Sequence, residues 1–168
     1  MKPFRIRLTI IIMVLLAVLG LAAAFTMAHI YRNSHEQTLE ENMLREIRLL
    51  ETTFTFEPVG NTNEAPSSDI LSYYSREALQ IGRLTDSRVT FIKKDGTVIG
   101  DSESDPRTMN NHASREEIVA AARDGVGSSV RYSSTLKENM LYVAAPVQKA
   151  GQFDGYIRLS MSLVAVED

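Results

Sequence analysis

Four carboxylates crowd one short stretch of this chain: Asp95, Asp101, Glu103 and Asp105. Acidic side chains at alternate loop positions can hold calcium, because a hard cation draws several oxygen ligands from one loop. The calcium-loop template fails here, since Pro106 stands where it needs Gly and no Glu closes it. The stretch reads as a solvated acidic loop, and no metal site is assigned. Nucleophilic catalysis has no better footing. The histidines are His29, His35 and His112, there is no Cys, and no Ser sits in a nucleophile-elbow context. No Gly pair is followed by Gly-Lys-Ser/Thr, so a phosphate-cradling loop is missing too. No catalytic residue is assigned, and no cofactor is expected in this chain.

The remaining chemistry is cationic. Arg107, Arg115 and Arg131 can each bind a carboxylate or phosphate through paired N–H donors. Tyr132 and Tyr142, on neighbouring strand candidates, can add hydroxyl contacts. His112, at a helix entrance, either orients a ligand or is hydrogen-bonded locally. The arginines have a second reading, as surface partners of Asp101, Asp105, Glu116 or Glu117.

These residues must be positioned by a chain that first meets a membrane. Leu8 to Ala28 contains no charge over about 21 residues, enough at about 1.5 Å per residue to cross a ~30 Å hydrocarbon core. A cleaved signal peptide is the rival, with Ala22 to Ala24 as small residues, but its apolar region is normally only ~7–15 residues long. Lys2, Arg5 and Arg7 precede the helix and every Asp and Glu follows it, so residues 1–7 are expected in the cytoplasm and 29–168 outside the cell. The outer part then carries 15 Lys and Arg against 21 Asp and Glu, a net charge of −6 that argues against nucleic acid as partner. Without cysteines, its fold must rest on packing alone.

Outside the membrane the pattern stays helical to Phe54. Leu39, Met43, Ile47, Leu50 and Phe54 recur every three or four residues, forming a stripe that either packs on its own domain or makes the seam of a parallel homodimer. Residues 29–56 form this membrane-proximal segment and 57–168 the domain proper. A Pro-, Gly- and Ser-rich loop, 57–69, leads to a helix over 70–84 capped by Ser67, Ser68 or Asp69. Arg88 to Lys93 and Thr97 to Gly100 read as strands around an Asp95-Gly96 turn. Ser114 with Glu117 reads as the capping box of a short helix over 115–123, stopped by Gly125 and Gly127. Three more strands are expected at 129–135, 141–147 and 156–162. The class is α+β: a five-stranded antiparallel sheet with helices on one face.

Several of these elements occur in a specific order. Arg88-Val89-Thr90 is followed by Asp95-Gly96-Thr97-Val98, Asp101-Ser102, Asn111-His112 and Arg115-Glu116-Glu117-Ile118. Gly125-Val126-Gly127, Arg131-Tyr132-Ser133 and Leu141 to Val147 (LYVAAPV) complete the set. Together they resemble the extracytoplasmic PAS-like (single Cache) domain of PhoR-type and related sensor histidine kinases. The resemblance implies that Arg107, Arg115 and Arg131 lie in or beside the segment over the sheet that lines the pocket, with Tyr132 and Tyr142 on its floor. It further implies a parent protein-histidine kinase, of phosphate-regulon type, with ATP and Mg²⁺ in a kinase half that these residues do not include. A cytoplasmic response regulator would be its partner. Ser34-His35-Glu36 copies the core of the kinase phosphoacceptor motif, but Gln37-Thr38-Leu39 follows instead of Leu-Arg-Thr-Pro. The expected function is to register an extracellular ligand or protein and relay it as a shift of the 31–54 helix. The alternative is an anchored binding module with no signalling output.

Overall fold

The computed structural model describes residues 2–53, 56, 65–133, 137–148 and 154–163. The chain divides into two compact units, 1–38 and 39–168. The first is the N-terminal part of α1 (Lys2–Thr53), which is long and apolar enough, by length and composition, to cross a membrane.

In the second unit, α2 (Ser68–Thr85) starts where Ser67 accepts the amide of Ile70, at 3.4 Å, and ends at Asp86 in the left-handed region. Its Tyr74, Ala78 and Ile81, spaced four and three apart, are buried. A hairpin follows, β1 (Arg88–Lys93) and β2 (Val98–Asp101), turning at Gly96, whose φ of 86° suits a residue without a side chain. The acidic stretch after β2 contains a short 3-10 turn, Pro106–Thr108, capped by Asp105. Then come α3 (Glu116–Asp124), β3 (Gly127–Ser133), β4 (Glu138–Gln148) and β5 (Asp154–Ser162). The sheet order is β2-β1-β5-β4-β3 with every pair antiparallel.

That order has a consequence for residues 102–126. β2 and β3 are opposite edges of the sheet, so the segment joining them must cross the whole of it. The amide of His112 donates to the Gly96 carbonyl and the Asn111 side chain to that of Asp95, pinning the crossing segment to the hairpin turn.

Strand alternation sorts the side chains onto two faces. One carries Val89, Phe91, Leu141, Val143, Ala145, Val147, Ile157 and Leu159, which share a core with Met43 and Ile47 of α1, Phe56, and Tyr74, Ala78 and Ile81 of α2. Phe91 sits in this core with its ring centroid 6.0 Å from Phe56 and 5.1 Å from Tyr74. Each such buried side chain contributes roughly 1.5–3 kcal/mol. The other face buries Ile92, Ala144 and Tyr156 against Ile118 and Ala121 of α3. The expectation of helices on one face therefore holds for α1 and α2 only: α3 covers the opposite face, because the segment that joins the two edge strands crosses the sheet on that side.

Two local expectations change. The capping box does not form: Arg115 is the N-cap of α3 without a side-chain cap bond, and Glu117 turns inward. Met43 and Ile47 are fully buried and Leu39 and Leu50 pack half-buried beside them, so within one chain the apolar stripe is core; Phe54 lies outside the described residues.

Candidate functional site

The face beneath the crossing segment carries a polar band in the middle of the sheet. Thr90 on β1 lies opposite both Asp101 on β2 and Arg158 on β5. Its hydroxyl donates to Asp101 Oδ2, at 2.8 Å, and accepts from Arg158 Nη2, at 3.1 Å. Arg158 Nη1 reaches Glu117 Oε1 on α3, at 3.3 Å. Glu117 is held from the other side by Arg131 on β3, whose Nη1 and Nη2 donate to Oε2 and Oε1 at 2.6 and 3.1 Å. The Ser129 hydroxyl adds a fourth bond, at 2.9 Å. Tyr142 on β4 fills the remaining place, its ring centroid 4.1 Å from the Arg131 guanidinium carbon and 5.2 Å from that of Arg158. All five strands and α3 therefore contribute to one cluster.

Asp101 anchors its outer end. It takes the Arg88 Nε at 3.1 Å and the amides of Glu103 and Ser104 at 2.9 Å, which fixes the start of the crossing segment. Gly127 makes the approach of α3 possible, because a Cβ there would collide with the Glu117 carbonyl.

Electrostatics follow from this enclosure. Burial alone would raise the Glu117 carboxyl, but hydrogen bonds from Arg131 and Ser129 and the charge of Arg158 hold it down to about 2. His112 is buried beside the same cluster, and burial, with Arg158 and Arg115 nearby, pushes it down to about 4. The imidazole is neutral at physiological pH. Besides Glu46 Oε2 on α1, three buried polar atoms, all on this side of the sheet, have no hydrogen-bond partner among the described residues: His112 Nδ1, Arg158 Nε and Ser160 Oγ. Buried polar groups are ordinarily paired, so these three stand out within the domain.

The sequence-derived candidates divide. His112, Arg131 and Tyr142 come together here. Arg115 is half-buried at the start of α3, close enough to depress His112. Arg107 is on the surface, closed onto Asp105 at 2.6 Å, and follows the surface-pairing reading. Tyr132 is 63% exposed and alternates onto the other face from Arg131, so it is not part of the cluster. Glu117, Arg158, Thr90 and Ser129 were not singled out as ligand candidates from sequence. Arg158 carried a signal: it sits between Ile157 and Leu159, a charge at an inward position of a strand with no exposed face.

Solved structures similar to this chain include sensory domains. The chain is similar to the sensor domain of the V. cholerae histidine kinase DctB, at 19% identity and a TM-score of 0.59, covering 86% of this chain and 58% of that one. It is similar to the ligand-binding domain of the Campylobacter jejuni chemoreceptor Tlp3 in complex with 4-methylisoleucine, at 11% identity and a TM-score of 0.54, covering 78% and 55%. The E. coli DcuS sensor domain matches at 11% identity and a TM-score of 0.52, covering 78% and 93%. The chain thus spans little more than half of the DctB and Tlp3 domains and nearly all of that of DcuS. Among curated proteins no sequence match was found. The Single Cache-like family profile matches residues 33–162, which is most of the chain and the whole of the sheet, and the protein belongs to that family.

Proposed function

We propose that this chain is the sensing region of a membrane-anchored receptor, with residues 8–28 in the membrane, residues 29–168 outside the cell, and α1 as the output element. Membership of the Single Cache-like family supports the reading, as does likeness to sensor domains of histidine kinases and a chemoreceptor. A histidine kinase output, with ATP, Mg²⁺ and a response regulator, is the form that the sequence resemblance favours. The phosphate-regulon assignment rests on that resemblance alone.

One observation carries the reading: the central strand is used from both sides. Arg158 binds Glu117 under the crossing segment, while its neighbours Ile157 and Leu159 lie in the same core as Met43 and Ile47 of α1. A cue that moves α3 therefore acts on the strand whose other face lies in the core it shares with the output helix. For this to signal, the cue must stabilise two packings of α1 unequally. If a second copy pairs in parallel, its contact falls on the exposed face of α1, where Asn42, Arg45, Leu49 and Thr52 recur at three and four, because Met43 and Ile47 are already in the core.

The absence of cysteine makes a clean test available, since Leu49→Cys gives the full chain a single labelling site. A spin label there, in lipid nanodiscs, should change its mobility when Glu117→Gln loosens the cluster. An unchanged spectrum in a variant that keeps its circular dichroism would reject the relay and favour the anchored module without output.

A further inference from the structure

The arginine pair that this domain could offer to a carboxylate already holds one. Glu117 receives both arms of the Arg131 fork, at 2.6 and 3.1 Å, a second guanidinium from Arg158 at 3.3 Å, and the Ser129 hydroxyl at 2.9 Å. A planar fork, a second cation and a hydroxyl, backed by the Tyr142 ring, are the groups a protein assembles to recognise a carboxylate. Here they are met by a side chain of the same domain.

The helix itself does not require this arrangement. Glu117 lies in the first turn of α3, where an acid ordinarily points to solvent and gains from the helix dipole. Instead it is fully buried, and its place as a capping residue is given up. The seat is also larger in donors than Glu117 can satisfy. Two guanidinium groups converge on its single negative charge, and Arg158 Nε, buried with the rest, has no partner among the described residues. Ser160 Oγ, on the same strand face, and His112 Nδ1 are in the same condition.

We propose that Glu117 is a built-in ligand: it occupies a carboxylate seat formed by Arg131, Arg158 and Ser129, and an external carboxylate binds there by displacing it. The displacement is an exchange of like for like, in which the incoming carboxylate takes the donors that Glu117 releases and α3 is freed from the sheet. The wild-type affinity is therefore reduced by the small fraction of molecules in which Glu117 has left the seat. This deepens the sensor reading and rests on it for physiological meaning only, since the seat could be self-occupied in a domain that transmits nothing.

Truncation of the side chain tests it. Glu117→Ala removes the terminal methylene and carboxylate, which acetate replaces atom for atom. With the full chain in nanodiscs, acetate should raise the melting temperature of Glu117→Ala, whereas acetamide, or chloride at the same ionic strength, should not. Apparent affinity for acetate should be at least about tenfold higher than in the wild type. Because that variant could fail to fold, Glu117→Gln is measured in parallel: its neutral amide fills the seat but is the weaker competitor, so acetate should stabilise it more than the wild type. The proposal is overturned if acetate leaves both variants unmoved, or moves them and the wild type equally. A label at Leu49→Cys separates the two readings. Acetate binding without a change at the label rejects the relay and keeps the seat, and a label that responds to Glu117→Gln without acetate binding does the reverse.

Discussion

Glu117 and Arg131 are 14 residues apart on different elements, yet they form a two-bond ion pair, at 2.6 and 3.1 Å, that fastens α3 to the edge strand β3. Arg158, contributed by the central strand β5, closes the same carboxylate from the other side at 3.3 Å. The cover of the domain is thereby tied to its sheet by charge as well as by the packing of Ile118 and Ala121.

Removing the shared anion should be worse than removing one of its two cations. Glu117→Gln leaves Arg158 buried without its directly bonded counter-charge and is expected to lower stability by about 3–5 kcal/mol. Arg158→Met leaves Glu117 paired with Arg131 and should lower it by only about 1–3 kcal/mol. Urea unfolding of both variants checks the ranking; equal losses would mean that Arg131 alone neutralises Glu117.

Acid should loosen the domain in two stages. His112 falls from its ordinary 6.5 to about 4 in the folded state, so the unfolded chain binds the proton first and stability drops as pH falls from about 6.5 to 4. Glu117 falls from 4.5 to about 2, so its contribution is present above pH 4.5 and is lost as pH falls from there to 2. Melting temperatures of His112→Gln should therefore no longer drop between pH 6.5 and 4.5, and should decline below. A variant that tracks the wild type through the first window would assign that loss to another group.

The close approach of α3 to β3 makes Gly127 sensitive. A Cβ there collides with the Glu117 carbonyl and comes within 2.8 Å of the Ala120 side chain. Gly127→Ala is expected to lower stability by about 1–3 kcal/mol or more and to speed hydrogen exchange in α3 selectively. Uniform protection across the domain would show that the backbone absorbs the methyl group without moving the helix.

Two neighbouring positions of α1 should behave oppositely. Ile47 is fully buried and Leu49 is 61% exposed. Ile47→Glu places an unpaired charge in the core and should unfold the domain, whereas Leu49→Glu should change stability by less than about 0.5 kcal/mol. If Leu49→Glu nevertheless abolished disulfide cross-linking of an Asn42→Cys variant in membranes, the exposed face would be the dimer contact.

Topology can be read with the same cysteine-free background. Leu84, at the end of α2, is 82% exposed, so Leu84→Cys should react with a membrane-impermeant maleimide on intact cells. Labelling only after lysis would place the domain inside.

The sequence by itself determined the elements and their type. The uncharged run at 8–28, the stripe from Leu39 to Leu50, the Asp95-Gly96 turn and the alternation of β5 are local patterns, and a local pattern suffices wherever one face is apolar and the other wet. It also supplied three members of the cluster, His112, Arg131 and Tyr142, as chemistry without a location. What the tertiary structure decided is which polar residues face each other. The order β2-β1-β5-β4-β3 carries residues 102–126 across the sheet, and only that crossing brings Glu117 over Arg158, 41 residues away in the chain. It also turned Glu117 from an expected helix cap into a buried counter-ion, because two guanidinium groups in an enclosed site outweigh one capping bond at the surface. Tyr132 and Arg107 lie outside the cluster for the complementary reason. The reach of a side chain depends on the face of its strand and on its nearest charge, and neither is a property of spacing alone.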